Sequence, residues 1–277
     1  MLSSFEVSSK NVTLKDLLVS SCKEKFNMAT DNSESPFIKQ LAANDRQTRD
    51  KAVESLRSFL SQRTSLSQLE LLKLWKGLFY CMWMSDKPRT QQELARNLAG
   101  LVEVLPEDAF LGFMEAFWET MKREWVGIDV LRMDKFLYLV RQYLRAGWEY
   151  LARRSWERNQ LLESYLDLLA KIPLNPKDMK VPDGMRYHAI DIYVDELEKV
   201  DEKREGKMPV ELLLRPLQAI SQESATNKVR ERAKDALDDE RLSNWNGDET
   251  SLRQNPVSAI TEKDDVDEDE EWEGIDD

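Results

Sequence analysis

The sequence predicts an all-α protein built from stacked antiparallel helix pairs. Apolar residues recur at three- and four-residue spacing through most of the chain, which is the repeat of one helix face. Glycine and proline are scarce, with nine of each in 277 residues, whereas a protein of many short strands needs frequent turns. Predicted helix starts give a two-helix period of roughly 40 residues, as in HEAT and armadillo arrays. We therefore expect a right-handed α-α superhelix of HEAT/armadillo-like helix pairs. A compact irregular helical domain is the alternative, because no motif repeats beyond this periodicity.

The predicted helices begin near residues 45, 67, 90, 107, 129, 157, 186 and 210. Asp45 and Asp129 are placed to cap the first turns of two of them. Thr90-Gln91-Gln92-Glu93 has the pattern of a capping box, which predicts the start of the third helix. Each helix has a wide apolar stripe, so each is expected to bury one face against its neighbours.

The core of the second helix is predicted from its aromatic residues. Trp75, Phe79 and Trp83 stand at i, i+4 and i+8, so they form one continuous ridge on a helix. We expect this ridge to be buried. The residues after it, Ser85–Pro88, are expected to form a polar loop, because a residue that precedes proline disfavours the helical conformation.

Composition and charge divide the chain into three segments, because residues 1–34 are rich in Ser, Lys and Asn with only a weak apolar pattern and the end of the chain is acidic. Residues 1–34 are predicted to be a flexible lead, residues 35–237 the helical-repeat domain, and residues 238–277 an acidic disordered tail. The tail carries 16 acidic and 3 basic residues, whereas residues 1–237 carry 36 acidic and 37 basic residues. The net charge of −12 therefore belongs to the tail, and an acidic total does not argue against an RNA-binding body.

Several functional classes find no support in the sequence. His188 is the sole histidine, and its apolar surroundings favour a structural role. Cys22 and Cys81 match no metal-ligand spacing, which favours ordinary thiols in a reducing compartment. Asp191, Asp195 and Glu196 are expected to be solvated surface carboxylates. No phosphate-binding glycine motif, secretory signal or membrane span is predicted. We expect no enzyme activity, no catalytic residue, no metal and no cofactor.

The strongest candidate for a contact surface is a basic stretch that ends at Arg158. Aromatic residues are interleaved with its cations, a combination that can bind RNA through phosphate contacts and base stacking. A solvated face beside an aromatic core is the alternative interpretation. The candidate RNA or partner contacts in this stretch are Lys122, Arg123, Arg132, Lys135, Arg141, Arg145, Arg153, Arg154 and Arg158, and the interleaved aromatic residues are Trp125, Tyr143, Trp148, Tyr150 and Trp156.

Several strings carry a family resemblance. They are Pro36–Ala42 (PFIKQLA) followed by Asp45-Arg46 and Arg49–Ala52 (RDKA), Leu71–Pro88 (LLKLWKGLFYCMWMSDKP), Arg123–Asp129 (REWVGID), Leu131–Phe136 (LRMDKF) and His188–Leu197 (HAIDIYVDEL). Together they resemble the nucleolar ribosomal-RNA-processing protein 1 family over about residues 36–200. The Trp75–Pro88 and Arg123–Phe136 strings are highly specific.

The resemblance implies a non-catalytic assembly factor of precursor large-subunit particles in the nucleus and nucleolus. Its implied partners are precursor large-subunit ribosomal RNA, assembly factors of the Brix and WD-repeat types, and ribosomal proteins, with neither a membrane nor a small-molecule substrate. Lys87 and Arg89, beside the polar loop of the second string, complete the candidate contact residues. The alternative is a protein-only helical-repeat adaptor that uses the same fold without touching RNA.

Overall fold

The computed structural model describes residues 40–41, 43, 45–62, 66–156, 160–204, 207–243 and 245. The regular elements in these residues are all helices, which confirms the all-α prediction. The first half contains α1 (Arg46–Ser61), α2 (Gln68–Trp83), α3 (Pro88–Ala99), α4 (Glu107–Glu124), α5 (Val130–Ala152) and α6 (Gln160–Lys171). The second half contains α7 (Asp183–Asp191), α8 (Tyr193–Val200), α9 (Val210–Leu213), α10 (Arg215–Glu223), α11 (Asn227–Leu237) and α12 (Glu240–Ser243). Short 3₁₀ turns occupy Val102–Val104 and Trp125–Gly127.

Helices α2 to α6 alternate between two layers, and α7 and α8 both lie in the second. In the first layer α2 packs on α4, α4 on α6, and α6 on α10; in the second, α3 packs on α5, which is followed by α7 and α8. Neighbours within a layer run parallel: the Tyr143 hydroxyl donates to the Leu98 carbonyl, and seven residues further on the Tyr150 hydroxyl donates to the Leu105 carbonyl. Stacked antiparallel helix pairs produce this arrangement.

The Trp75 indole joins the two layers. Its ring is fully buried and lies 4.9 Å from the ring of Phe117 on α4 and 4.9 Å from the ring of Tyr143 on α5. Its Nε1–H donates to the Phe113 carbonyl at 3.1 Å, so the polar group is not buried without a partner. The predicted core ridge is confirmed, because Phe79 and Trp83 are buried as well.

Most helix starts agree with the predicted positions, but two do not. The helix predicted near residue 186 begins at Asp183 and is followed by a separate helix from Tyr193. Asp45 and Asp129 accept hydrogen bonds from the backbone N–H groups of Thr48 and Arg132, as expected of N-caps. The third helix, however, begins at Pro88 rather than at Thr90. Proline suits the first helical position because its fixed φ matches the helix and its missing N–H is not needed there.

The C-terminal boundary of the folded body lies further along the chain than predicted. Residues 238–243 and Trp245, which the prediction assigned to the acidic tail, pack on the helical domain. The Trp245 ring is 1% exposed and its indole N–H donates to Asp201 at 2.9 Å, while Arg241 forms ion pairs with Asp195 and Glu198. These contacts hold the segment on the helical domain, although its acidic composition predicts a disordered tail. The predicted lead (1–34) and the rest of the predicted tail, from residue 246, lie outside the described residues.

A close approach between α5 and α6 depends on the absence of a side chain at Gly147. A Cβ atom there would lie 2.1 Å from the Tyr165 hydroxyl oxygen and 2.6 Å from its Cζ atom, and the Tyr165 side chain is fully buried. We expect Gly147→Ala to lower the free energy of unfolding by about 1–3 kcal/mol, measured by urea denaturation.

Gly127→Ala is the matched control. Nothing lies within 4 Å of a Cβ built at Gly127, and its φ is ordinary for an L-residue. Its free energy of unfolding should change by less than about 0.5 kcal/mol. Equal stability of the two variants would contradict the close contact between Gly147 and Tyr165.

Candidate interaction edge

One side of the domain is formed by the connections from first-layer to second-layer helices. We call it the loop edge and define it as segments 84–87, 125–131, 172–182 and 224–226. Side-chain contacts join residues within or next to these segments: Lys122, at the end of α4, lies 3.3 Å from Asp178, the Thr226 hydroxyl donates to Asp183 at 3.3 Å, and Lys135 in the first turns of α5 donates to the Ser85 carbonyl at 2.7 Å. The loop edge is therefore one continuous surface built from segments far apart in sequence.

A buried ammonium group fastens the first two segments together. The Nζ atom of Lys135 on α5 donates to the carbonyl oxygens of Trp83 and Ser85, both at 2.7 Å. The Trp83 carbonyl belongs to the last turn of α2 and the Ser85 carbonyl follows it, where helix carbonyls lack intrahelical partners and the helix dipole attracts a cation. Burial lowers the pKa of Lys135 to about 8. Because this side chain is 5% exposed, its assignment as an RNA contact is wrong.

Seven other predicted contact residues form ion pairs within the chain. A nucleic-acid phosphate would have to displace a carboxylate at each of them, which is easiest where the pair is exposed and weak. The pairs are Lys122 with Glu119 and Asp178, Arg123 with Glu124, Arg132 with Asp129, Arg141 with Asp195 and Glu196, Arg145 with Glu196, Arg153 with Glu103, and Arg154 with Glu107. Arg158 lies outside the described residues.

The densest of these pairs surround Glu196 on α8. Its carboxylate is fully buried and contacts Arg141 at 2.9 Å, Arg145 at 2.7 Å and Lys199 at 2.6 Å. Removing one partner from a buried charge is costly, so these arginines are committed to holding α5 against α8. The expectation that Glu196 is a solvated surface carboxylate is therefore wrong.

The aromatic residues of the basic stretch are also unavailable for base stacking. All five interleaved aromatic residues are buried, because they face the contacts between the helix layers. Trp148, for example, lies edge-on to Tyr165 and to Tyr193. The prediction that aromatic rings and cations form a joint RNA surface is wrong for this stretch, and the alternative of a charged face beside an aromatic core is correct.

Two predicted contact residues are free for a partner. Lys87 and Arg89 lie at the start of α3 on the loop edge, and both are exposed with no carboxylate partner among the described residues. Lys180, in the third loop segment, is exposed as well, although the sequence reasoning missed it; its backbone N–H donates to Asp178, and its charge helps to lower the pKa of that carboxyl. The proline-punctuated connection that contains it shows no periodicity from which exposure could be inferred.

Exposed apolar side chains were also missed, and they cluster on the same edge. Val126, Val130, Leu131 and Met179 are 84, 88, 93 and 80% exposed, and they account for four of the five strongly exposed large hydrophobic residues that the structure describes. The fifth, Leu69, lies at the opposite end of α2. Scattered apolar residues are ordinary on a surface, but neighbouring ones beside unpaired cations are typical of an interaction site. The exposure of Leu131 could have been predicted from the sequence, because Leu131 falls outside the apolar stripe of α5 that begins at Met133.

The described residues give little support to catalysis or metal binding. They contain no group of three or more His, Cys, Asp or Glu side chains placed to hold a metal ion, and none of their helices is long and apolar enough to cross a membrane. The His188 Nε2 atom lies 2.8 Å from the Leu137 carbonyl. A neutral imidazole that donates from Nε2 satisfies this contact, so the ring links α7 to α5.

Burial lowers the pKa of His188 below its ordinary value of 6.5. The neutral ring therefore contributes stability that is present above pH 6.5 and is lost as the pH falls through the folded-state pKa, because the unfolded chain takes up the proton first. We expect the imidazole signals in NMR spectra to titrate below pH 6.5; they are unambiguous because the chain has one histidine. His188→Gln should remove this part of the pH dependence of unfolding. A midpoint at or above 6.5 would contradict a partly buried, neutral ring.

The fold and its edge place the chain among all-α helical-repeat proteins, in which stacked helix pairs display their loops along one side. Comparison with known families is more specific. The family described as "Nucleolar protein, Nop52" matches residues 32–276, and the chain belongs to that family.

Curated relatives carry ribosomal RNA processing names. Ribosomal RNA processing protein 1 homolog B of Mus musculus is 45% identical over 179 residues, which cover 62% of this chain and 24% of the relative. Homolog A of Homo sapiens is 44% identical over 170 residues, which cover 59% of this chain and 36% of the relative. The homolog of Drosophila melanogaster is 34% identical over 187 residues, which cover 65% of this chain and 27% of the relative. The chain thus matches about a quarter to a third of the length of these relatives.

Proposed function

We propose that this chain is a non-catalytic assembly factor of precursor large-subunit ribosomal particles in the nucleolus, where it supports pre-rRNA processing by holding partners on its loop edge. The partners that we propose are assembly factors of the Brix and WD-repeat types, ribosomal proteins and precursor large-subunit ribosomal RNA. Membership of a nucleolar protein family and relatives named for ribosomal RNA processing support this role.

The composition of the loop edge is the single observation that supports our proposal for how the chain contacts its partners. Its exposed apolar side chains are suited to docking a protein, because burying them releases water at no cost in lost polar contacts. Lys87 and Arg89 beside them have no carboxylate partner among the described residues, so they can contact a phosphate or an acidic side chain directly, and Lys180 is an exposed cation on the same edge. Protein docking is therefore the main contact that we propose, and RNA contact is confined to the rim of the same edge.

Replacement of the apolar residues tests protein docking. We expect Val126→Ser combined with Leu131→Ser to reduce the recovery of assembly factors with the tagged chain about tenfold, as loss of central interface residues does. Both side chains are more than four-fifths exposed, so stability should change by less than about 0.5 kcal/mol.

Leu69→Ser is the matched control, since Leu69 is an exposed leucine on the opposite edge. It should leave recovery unchanged. If the loop-edge variant recovers the same precursor particles as the parent chain, docking at this edge is refuted. Recovery of free monomer by the parent chain itself would refute the ribosomal role.

The protein-only adaptor is kept as a second candidate, because most cations of the basic stretch are committed to internal ion pairs. Ultraviolet crosslinking within purified particles decides between this adaptor and an assembly factor that also contacts RNA. We expect precursor RNA to crosslink near Lys87 and Arg89, and Lys87→Glu combined with Arg89→Glu to lower its yield several-fold through lost phosphate contacts.

Lys234→Glu, an exposed lysine of α11 with no carboxylate partner among the described residues, is the control and should retain the RNA crosslinks. Protein partners should be recovered with both variants. A complete absence of RNA crosslinks from particle-bound parent chain would establish the adaptor.

A further inference from the structure

The loop edge has a defined chemical preference. Four exposed apolar side chains lie on it, and the exposed cations Lys87, Arg89 and Lys180 flank them; Lys87 and Arg89 have no carboxylate partner among the described residues. A ligand that matches both features is an acidic segment with large apolar residues between its carboxylates. A neutral peptide would leave the cations unpaired, and a simple polyanion would leave the apolar side chains in water.

Residues 264–277 of this same chain have that composition. The string DDVDEDEEWEGIDD contains ten acidic residues, no basic residue and three large apolar residues, namely Val266, Trp272 and Ile275. Tryptophan is the residue type most suited to anchoring a segment in an apolar contact, because it buries a large rigid surface. The acidic residues surround these anchors on both sides.

The segment has enough chain to reach the edge. Trp245 packs beside Asp201 and Arg204, which follow α8 on the side away from the loop edge. The distance to be crossed is close to the length of α5, whose 23 residues span about 35 Å at 1.5 Å per residue. Residues 246–263 can extend to roughly 60 Å, at about 3.3 Å per residue.

We propose that residues 264–277 bind the loop edge of their own chain in the absence of other partners. Trp272 and Ile275 cover the exposed apolar side chains, and the neighbouring carboxylates pair with Lys87, Arg89 and Lys180. Tethering raises the effective concentration of the segment to about the millimolar range, so a weak contact suffices to occupy the edge.

Self-binding would make the acidic segment a competitor of the partners that dock on this edge. A partner must then displace the segment, which protects the apolar side chains from unspecific association while the chain is free. This inference goes beyond the ribosomal role and does not require it, because the contact is within one chain and is tested on the purified protein alone.

Oxidation of Met179 by hydrogen peroxide measures whether the edge is covered. Met179 is 80% exposed, so its thioether should react readily unless something lies over it. The purified 277-residue chain is treated with peroxide at low ionic strength, and sulfoxide at Met179 is followed by mass spectrometry of its peptide. We expect Trp272→Ser combined with Ile275→Ser to raise the oxidation rate about two- to tenfold, the range for a tethered contact of millimolar strength.

Val257→Ser combined with Ile260→Ser is the matched control, because it removes two apolar residues of the linking segment outside the acidic string. Its rate should equal that of the parent chain. Salt at about 1 M should raise the parent rate toward that of the Trp272 and Ile275 variant, because it screens exposed ion pairs. Equal rates for parent and variant overturn the proposal. Protection that grows with protein concentration also overturns it, since a second copy would then cover the edge.

Discussion

The Trp75 indole is the contact on which the rest of the domain depends. It is the place where a first-layer helix meets both its layer neighbour α4 and the second-layer helix α5, and its one polar atom is satisfied by the Phe113 carbonyl. Tyr143, which packs against this ring, extends the connection to α3 through its hydrogen bond to Leu98. Four helices are thereby held in one register, and the close packing of large aromatic rings leaves few alternative arrangements.

That register decides where the loops lie. Since helices alternate between layers and neighbours within a layer run parallel, every connection from the first layer to the second emerges on the same side. Lys135 then fixes the start of α5 to the end of α2 by occupying two carbonyls with one ammonium group. Core packing thus fixes the positions of the segments that form the loop edge. A partner that binds their exposed residues therefore does not have to order a loose loop, which would cost entropy.

The sequence alone predicts the helices well and the interaction surface poorly, for a physical reason. Helix periodicity and caps are local, so the N-cap roles of Asp45 and Asp129 and the burial of Trp75 can be predicted from a few neighbouring residues. Ion pairing is not local: Arg141 meets Glu196, 55 residues away. A count of cations along α5 therefore overestimates the charge open to RNA, and the exposure of Val126 becomes visible only when the turn is placed in three dimensions.

Internal ion pairing also determines which forces can act between this chain and its partners. Lys122 to Arg154 look like a basic surface in sequence, but their charges are largely neutralised by carboxylates from α4, α8 and neighbouring turns. A neutralised surface attracts a polyanion weakly at a distance, because opposite charges close together cancel beyond about one Debye length of roughly 8–10 Å. Affinity must then come mainly from contact, and the exposed apolar residues of the loop edge are where contact removes the most nonpolar surface from water. The unpaired cations beside them select among apolar ligands, favouring those that carry negative charge.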